Sequence, residues 1–117
     1  MAYLFDTDAI SELLRPRPLS TYVDWIGSVP REEQFTSAVV AGELYKGAYR
    51  SQARQLHLAN IERRILPAIT VLPYDVATAK EFGKIRARLE ETGAILPDAD
   101  LQIAATAIYH DLEVVSG

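Results

Sequence analysis

The chain has 117 residues, of which 49% are hydrophobic, and carries 12 Lys and Arg against 16 Asp and Glu, a formal net charge of −4. This composition predicts one globular domain, residues 1–117, and argues against nucleic-acid binding through a uniformly basic surface. The absence of cysteine excludes disulfides and thiolate metal sites, and no apolar run approaches the roughly 18 residues that cross a bilayer, so we expect a soluble, cytoplasmic protein without membrane contact.

The first half of the sequence predicts short strands that alternate with helices. Tyr3–Phe5 is an apolar run that ends in Asp-Thr-Asp, a pattern typical of a strand leading into a helix cap. Helices are expected over residues 9–14, where prolines follow, and over residues 19–26. A second strand over Gln34–Ser37 leads into a helix over residues 39–46.

The second half repeats this alternation, and every proline falls between elements or at the end of one. Asp75 is placed to cap a long helix, and Asp98 is placed to cap the helix that follows. Short strands alternating with helices predict an α/β fold, with a central parallel sheet of four or five strands and helices on both faces. The expected elements of this half are a helical stripe over residues 49–64, a strand over 69–72, helices over 76–91 and 99–109, and a strand over 113–116.

Three carboxylates lie in separate apolar stretches of the sequence. Asp6 follows the first strand, Glu43 lies in the helix after the second strand, and Asp100 opens the helix before the last strand. The carboxyl ends of parallel strands share one edge of a sheet, where ligands bind, so we expect the three side chains to meet there. A set of oxygen ligands suits Mg²⁺ or Mn²⁺, and such a site favours phosphodiester hydrolysis.

Each of these acids also has a purely structural interpretation. Asp6 or Asp8 would serve as the cap of the first helix, and Asp8 is assigned at most a supporting role in a metal site. Asp98 is interpreted as a cap, with a supporting role as the alternative, and Asp100 would alternatively interact with the helix dipole. Glu43 is the strongest ligand candidate, because its neighbours in the helix are mostly apolar.

Three segments resemble those of a known family. They are Asp-Thr-Asp after the first strand, Ser-Ala-Val-Val-Ala-Gly-Glu-Leu-Tyr-Lys-Gly, and Leu-Pro-Asp-Ala-Asp-Leu-Gln-Ile-Ala-Ala-Thr-Ala. In order and spacing they resemble the PIN-domain ribonucleases, specifically the VapC toxins of type II toxin–antitoxin systems. The resemblance implies a PIN-like three-layer fold and a metal-dependent endoribonuclease in which Asp6, Glu43 and Asp100 are the catalytic metal ligands. It also implies structured RNA, of the tRNA or rRNA class, as substrate, a VapB antitoxin as inhibitor, and a homodimer within a larger toxin–antitoxin assembly.

The end of the sequence departs from the family pattern. Members usually continue past the strand that matches residues 112–116, with a segment that carries a fourth acidic or amide position. This sequence stops at Gly117. The domain is therefore interpreted as short at its C-terminus, and we expect a weaker metal site or impaired catalysis.

Two further groups of side chains are candidates for contacts with partners. Basic residues at helical spacing after Glu43 would form a track for RNA phosphates in an unbroken helix, and an ordinary solvated face is the alternative. Large apolar residues on the first two helices would form a groove for a segment of the antitoxin, and packing against the sheet is the alternative. The basic group is Lys46, Arg50 and Arg54, and the apolar group is Ile10, Leu14 and Trp25.

Two other functions remain open on the sequence alone. A receiver-like phosphoacceptor domain also gathers acids at strand ends, but it would place a Lys late in the chain, and no Lys follows Lys84. The other alternative is a catalytically inactive PIN remnant that still binds an antitoxin.

Overall fold

The computed structural model describes all 117 residues, and its four short strands form one parallel sheet in the order β3-β2-β1-β4. The strands are β1 (Tyr3–Phe5), β2 (Gln34–Ser37), β3 (Thr70–Leu72) and β4 (Glu113–Val115). The six α-helices are α1 (Thr7–Leu13), α2 (Ser20–Ser28), α3 (Ala38–Arg50), α4 (Arg54–Asn60), α5 (Val76–Glu91) and α6 (Asp98–Tyr109). The predicted α/β fold with a parallel sheet is confirmed.

The first and last strands lie side by side in the sheet. Phe5 of β1 pairs with Val115 of β4, and the backbone N–H of Asp6 donates to the Val115 carbonyl at 3.1 Å. On its other side β1 pairs with β2. Because all pairs are parallel, the chain leaves β1, β2 and β4 at the same edge, and that edge is where the candidate site lies.

Local hydrogen bonds explain where α5 and α6 begin. The Asp75 side chain accepts from the Thr78 backbone N–H at 3.0 Å, and the Thr78 hydroxyl accepts from the Asp75 N–H at 2.8 Å, which confirms the predicted cap. The bond from the Thr78 backbone is the main reason that the pKa of Asp75 is lowered. The predicted cap at Asp98 is wrong: Pro97 occupies that position without a side-chain bond, and Asp98 is the first helical residue.

The helix after β2 is longer than expected, because it continues through Gly47 to Arg50. A Cβ atom at Gly47 would have no atom within 4 Å, so a larger residue would also fit at this position. After α4 the chain forms a π-helical turn over Ile61–Ile65 and a 3₁₀ turn over Leu66–Ala68 before it enters β3. No helix combines the length and apolar character required to span a membrane.

The hydrophobic core fills the space between the sheet and the helices. Leu4 and Phe5 of β1 lie within it and are packed with Ile10 of α1 and with Val40 and Leu44 of α3. These side chains place α1 and α3 next to each other over β1. The first turn of α1, which carries the acids after β1, is therefore held by buried contacts.

The three apolar residues expected to line a partner groove do not share a surface. Ile10 is only 1% exposed and belongs to the core, so it offers no surface to a partner. Trp25 packs edge-on against Tyr3, with ring centroids 5.1 Å apart. Packing accounts for these two residues, and Leu14, which is only half-buried, lines an open cleft.

Candidate active site

β1 delivers Asp6 to the edge of the sheet, where its side chain caps α1. The Asp6 Oδ1 atom accepts from the backbone N–H of Ala9 at 2.9 Å, and Oδ2 has no hydrogen-bond partner. The Tyr22 hydroxyl donates to the Ala9 carbonyl at 2.8 Å and braces the same turn. Burial, and then the charges of Asp6 and Glu12, raise the pKa of Tyr22 to about 12. Asp6 is thus a cap that keeps one oxygen free for a ligand.

Asp100 and Asp6 line the same cleft, as the sequence predicted. The cleft has a volume of about 330 Å³ and lies at the edge formed by β1 and β4, between the first turns of α1 and α6. Asp8 also lines it, and Asp100 is exposed and makes no hydrogen bond or ion pair. We call this the acidic cleft; its lining residues are Asp6, Asp8, Asp100, Ile103, Ala104, Val114 and Ser116. No cationic side chain lines it.

The end of the chain passes close to this cleft. A Cβ atom at Gly117 would lie 2.7 Å from both the carbonyl carbon and the carbonyl oxygen of Asp8, and 2.9 Å from the backbone nitrogen of Ala9. No other residue fits there without a shift of the backbone. The residues that follow β4 are therefore packed directly on the first turn of α1.

Glu43 lies beside the acidic cleft and not within it. The Thr7 hydroxyl donates to Glu43 Oε1, so the residue next to Asp6 holds this carboxylate. Glu43 lines a second cleft, of about 430 Å³, between α1, α3 and α4. We call this the α1–α3–α4 cleft; its lining residues are Thr7, Ser11, Leu14, Arg15, Glu43, Leu44, Gly47, Ala48, His57 and Ile61.

The donor chemistry of the acidic cleft fits a hard divalent cation. Carboxylate oxygens are the ligands that Mg²⁺ and Mn²⁺ prefer, and three carboxylates without a cationic neighbour repel one another until a cation joins them. No three His, Cys, Asp or Glu side chains converge closely enough in the structure to hold a metal ion. The structure therefore places Asp6 and Asp100 in the acidic cleft and Glu43 in the neighbouring cleft, where it is hydrogen-bonded to Thr7. The role of these three residues as metal ligands stays a prediction.

Asp98 serves a structural contact on the opposite side of α6. Its carboxylate pairs with Arg86 of α5, which also donates to the Leu96 carbonyl at 3.0 Å. Arg86 in turn lies over the ring of Phe82. The supporting role considered for Asp98 in a metal site is therefore not borne out by its position, since Asp98 faces α5.

The three basic residues expected on one helical track belong to two helices. α3 ends at Arg50, and Arg54 begins α4 after a short turn. The Arg54 guanidinium donates to the Tyr49 carbonyl at 2.9 Å and lies over the Tyr49 ring. Lys46 and Arg50 remain exposed on α3, so the predicted continuous track is reduced to these two.

Several polar residues near the carboxylates were not singled out in the sequence. Thr7 holds Glu43, and Arg15 and His57 line the same cleft as Glu43. Thr7 and Ser11 lie four residues apart on one face of α1, and this spacing is visible in the sequence, whereas Arg15 follows the end of the helix. Nothing in the sequence around His57 indicates that it lines this cleft.

If Glu43 is the metal ligand of a ribonuclease, as the sequence predicts, replacing Thr7 with valine is expected to lower kcat/KM for RNA cleavage about 10- to 100-fold, the usual cost of removing a partner of a metal ligand. Valine keeps the shape of threonine and loses the hydroxyl that donates to Glu43. Thr7→Ser keeps the hydroxyl and should retain most of the activity. Steady-state kinetics of both variants check this, and equal kinetics for Thr7→Val and the wild type would contradict it.

Comparison with known proteins adds independent information. Residues 3–117 match the PIN domain family. The chain is 34% identical to Toxin FitB of Neisseria gonorrhoeae, over 97% of this chain and 85% of FitB. It is 30% identical to VapC ribonuclease Y4jK of Sinorhizobium fredii, over 97% of this chain and 84% of the relative. It is also 30% identical to Ribonuclease VapC2 of Haemophilus influenzae, over 99% of this chain and 86% of the relative.

Solved structures give the same result. The crystal structure of FitAcB from Neisseria gonorrhoeae superposes with a TM-score of 0.87 at 34% identity and covers 96% of this chain and 84% of the solved one. The DNA-bound VapBC from Salmonella typhimurium superposes with a TM-score of 0.87 at 28% identity, over 99% of this chain and 86% of the solved one. The chain therefore belongs to the PIN-domain family, and the homologues that it matches along nearly its whole length include VapC ribonucleases and toxins.

Proposed function

We propose that the chain is an Mg²⁺-dependent endoribonuclease toxin that hydrolyses phosphodiester bonds of structured RNA and is neutralised by a VapB-type antitoxin. The observation that carries the proposal is the acidic cleft, which Asp6, Asp8 and Asp100 line at one edge of the sheet with no cationic side chain among them. Membership of the PIN family, with relatives named ribonucleases, supports a nuclease as the reaction class.

In this proposal Asp6 and Asp100 hold the cation, with Glu43 beside them and Asp8 in support. A bound Mg²⁺ or Mn²⁺ supplies positive charge to the phosphate oxygens and lowers the pKa of a nearby water. Asp6 caps α1, Asp100 lies in the first turn of α6, and both side chains line the cleft. The junction between β1 and α1 and the first turn of α6 thus determine where the two aspartates lie.

Two hydrogen bonds orient the carboxylates before substrate binds. The Ala9 N–H fixes Asp6 Oδ1 and leaves Oδ2 free, and the Thr7 hydroxyl fixes Glu43 Oε1 and leaves Oε2 free. A free carboxylate oxygen that is already oriented can bind a cation or accept a proton without further ordering of the side chain. Ile103 and Val114 contribute apolar side chains to the walls of the cleft.

The relatives support a substrate class and a partner for this proposal. One relative, from Shigella flexneri, is named a tRNA(fMet)-specific endonuclease and is 30% identical over 99% of this chain, so tRNA is the first substrate to test. The solved FitAcB and VapBC structures are toxin–antitoxin complexes, which supports an antitoxin partner for this chain. Leu14, in the open α1–α3–α4 cleft, stays a candidate antitoxin contact. A homodimer within a larger assembly in the cytoplasm belongs to the same proposal.

Cleavage of purified tRNA tests this function and its metal dependence. With Mg²⁺ or Mn²⁺ we expect discrete fragments whose ends map to one or a few sites by sequencing, and we expect EDTA to abolish them. Equal cleavage in EDTA would refute metal dependence. If the folded protein cuts neither tRNA nor rRNA with any divalent metal, the inactive antitoxin-binding remnant is the better description. Labelling of an aspartate by acetyl phosphate would instead support the receiver-like alternative.

A further inference from the structure

We propose that the α1–α3–α4 cleft binds a phosphate of the RNA strand next to the bond that is cut, with Arg15 and His57 as its main donors. This inference rests on the proposed function, because it assigns part of the RNA to a second cleft beside the acidic one. The acidic cleft contains the carboxylates but offers no donor side chain for substrate other than Ser116. A substrate held only there would have few contacts to fix its register.

The polar side chains of the α1–α3–α4 cleft form an ordered row. Thr7 and Ser11 lie about one turn, or roughly 6 Å, apart on α1, and Arg15 follows two residues after the helix ends at Leu13. The row begins at Thr7, which adjoins Asp6 and holds Glu43, and it ends at the Arg15 guanidinium. His57 of α4 lines the same cleft. The row therefore leads from the carboxylates to a cationic end.

Both main donors, Arg15 and His57, have side-chain nitrogens without a hydrogen-bond partner. Arg15 donates from Nη1 to Glu12 Oε1 at 3.0 Å, which holds the guanidinium in place while its other nitrogens have no partner. Glu12 is itself held by the backbone N–H of Leu19, and that bond, followed by the one from Arg15, lowers the pKa of Glu12. His57 makes no hydrogen bond through its ring. Donors that are already oriented and still unpaired are well suited to bind a phosphate.

The shape of the cleft also suits a strand of RNA. Its floor is formed by the buried side chains of Leu44, Ala48 and Ile61. On the α3 side the cleft is open at Gly47, which has no side chain and where an added Cβ would have no atom within 4 Å. Exposed Lys46 lies beside Gly47 in α3 and adds positive charge near that wall. Donors on two sides and an open wall on the third admit a phosphodiester backbone.

Removal of the donors is the first test. In an Asp100→Asn background, so that RNA stays intact, fluorescence anisotropy with labelled bulk tRNA measures the Kd. We expect Arg15→Gln and His57→Gln each to weaken binding about five- to tenfold, and Arg15→Gln to reduce the slope of log K against log salt by about 0.7 to 0.9. Arg88→Gln on α5, another exposed arginine, is the matched control and should bind as the parent does.

A charge placed in the open wall is the second test, because it separates an RNA occupant from a protein one. Gly47→Glu and Gly47→Gln have nearly the same size and differ in charge. A phosphate in the cleft predicts that the glutamate weakens RNA binding at least about tenfold more than the glutamine does. The same pair at Gly83 of α5, where a Cβ also meets no atom, is the control and should leave binding unchanged. Circular dichroism melting confirms that the variants are folded.

The outcomes distinguish this proposal from the proposed function. If the wild type cuts tRNA and the Arg15 and His57 variants bind it normally, the nuclease stands and the phosphate site falls. If both Gly47 variants bind RNA equally but lose a VapB-type antitoxin, the cleft receives a protein segment and the proposal is overturned. If the wild type neither binds nor cuts RNA, both proposals fail together.

Discussion

Replacing Asp100 with asparagine is expected to abolish RNA cleavage, with a loss of at least about 10³-fold in kcat/KM, or about 4 kcal/mol of transition-state stabilisation. Asparagine has the size of aspartate and lacks the charge that, in the proposed function, would hold a divalent cation in the acidic cleft. Asp100 is exposed and has no hydrogen-bond or ion-pair partner, so the melting temperature should stay unchanged. Single-turnover cleavage of tRNA and thermal unfolding measure the two effects.

Asp98 provides the matched control on the same helix. It lies two residues earlier and pairs with Arg86, so Asp98→Asn should leave cleavage intact and change stability by at most about 1 kcal/mol. Calorimetric titration of Mn²⁺ should show heat with the Asp98 variant and none with the Asp100 variant. Loss of activity in both variants, or in neither, would contradict the assignment of Asp100 as a metal ligand.

Replacing Ile10 with alanine is expected to cost about 3 kcal/mol of folding free energy, within the range of about 2 to 5 kcal/mol found for such truncations in well-packed cores. The Ile10 side chain is 1% exposed and packs in the core with β1 and α3, so the deleted atoms leave a cavity behind. Because small domains are stable by only about 5 to 15 kcal/mol, this is a large fraction of the total. Urea denaturation measures the change.

Leu14, one turn further along, is the matched control for Ile10. It is half-buried and lines the open α1–α3–α4 cleft, where water replaces the lost side chain. We expect Leu14→Ala to cost about 1 kcal/mol or less. Similar losses for the two variants would show that Leu14 also belongs to the core, and would remove it as a candidate contact for an antitoxin.

The strands and the longest helix follow from local sequence. Each strand is a run of three or four residues, rich in apolar or β-branched types, that ends at an acid, a serine or a proline, and so its limits are marked. The α5 helix was predicted with its observed limits, Val76–Glu91, because Asp75 and Thr78 form a capping box and Gly93 follows its end with a positive φ of 76°.

Contacts between elements decide the rest of the fold. Glycine at position 47 disfavours a helix, but Leu44 and Ala48 on either side are buried in α3, and that packing outweighs the propensity. The ion pair between Asp98 and Arg86 joins two helices, so a sequence window that contains only one of them gives no indication of it. Asp98 was therefore interpreted as a cap.

The candidate site was predictable to the extent that backbone topology determines it. Asp6 and Asp100 share a cleft because a parallel sheet brings the end of β1 and the start of α6 to one edge. The position of the Glu43 carboxylate depends on a hydrogen bond from the Thr7 side chain. The order of the strands does not indicate that this bond forms. Pattern analysis thus predicts which edge holds the site, while rotamers and side-chain partners decide which carboxylates meet.

The pairing of β1 with β4 has a consequence for the timing of activity. These strands come from opposite ends of the sequence, and the acidic cleft needs side chains that precede α1 together with walls from α6 and β4. A chain emerging from a ribosome delivers β4 after the other three strands and the six helices, because synthesis runs from the N-terminus at about 5 to 20 residues per second. A nascent chain therefore lacks the complete cleft, and any cleavage of RNA there begins only once translation has passed the last strand.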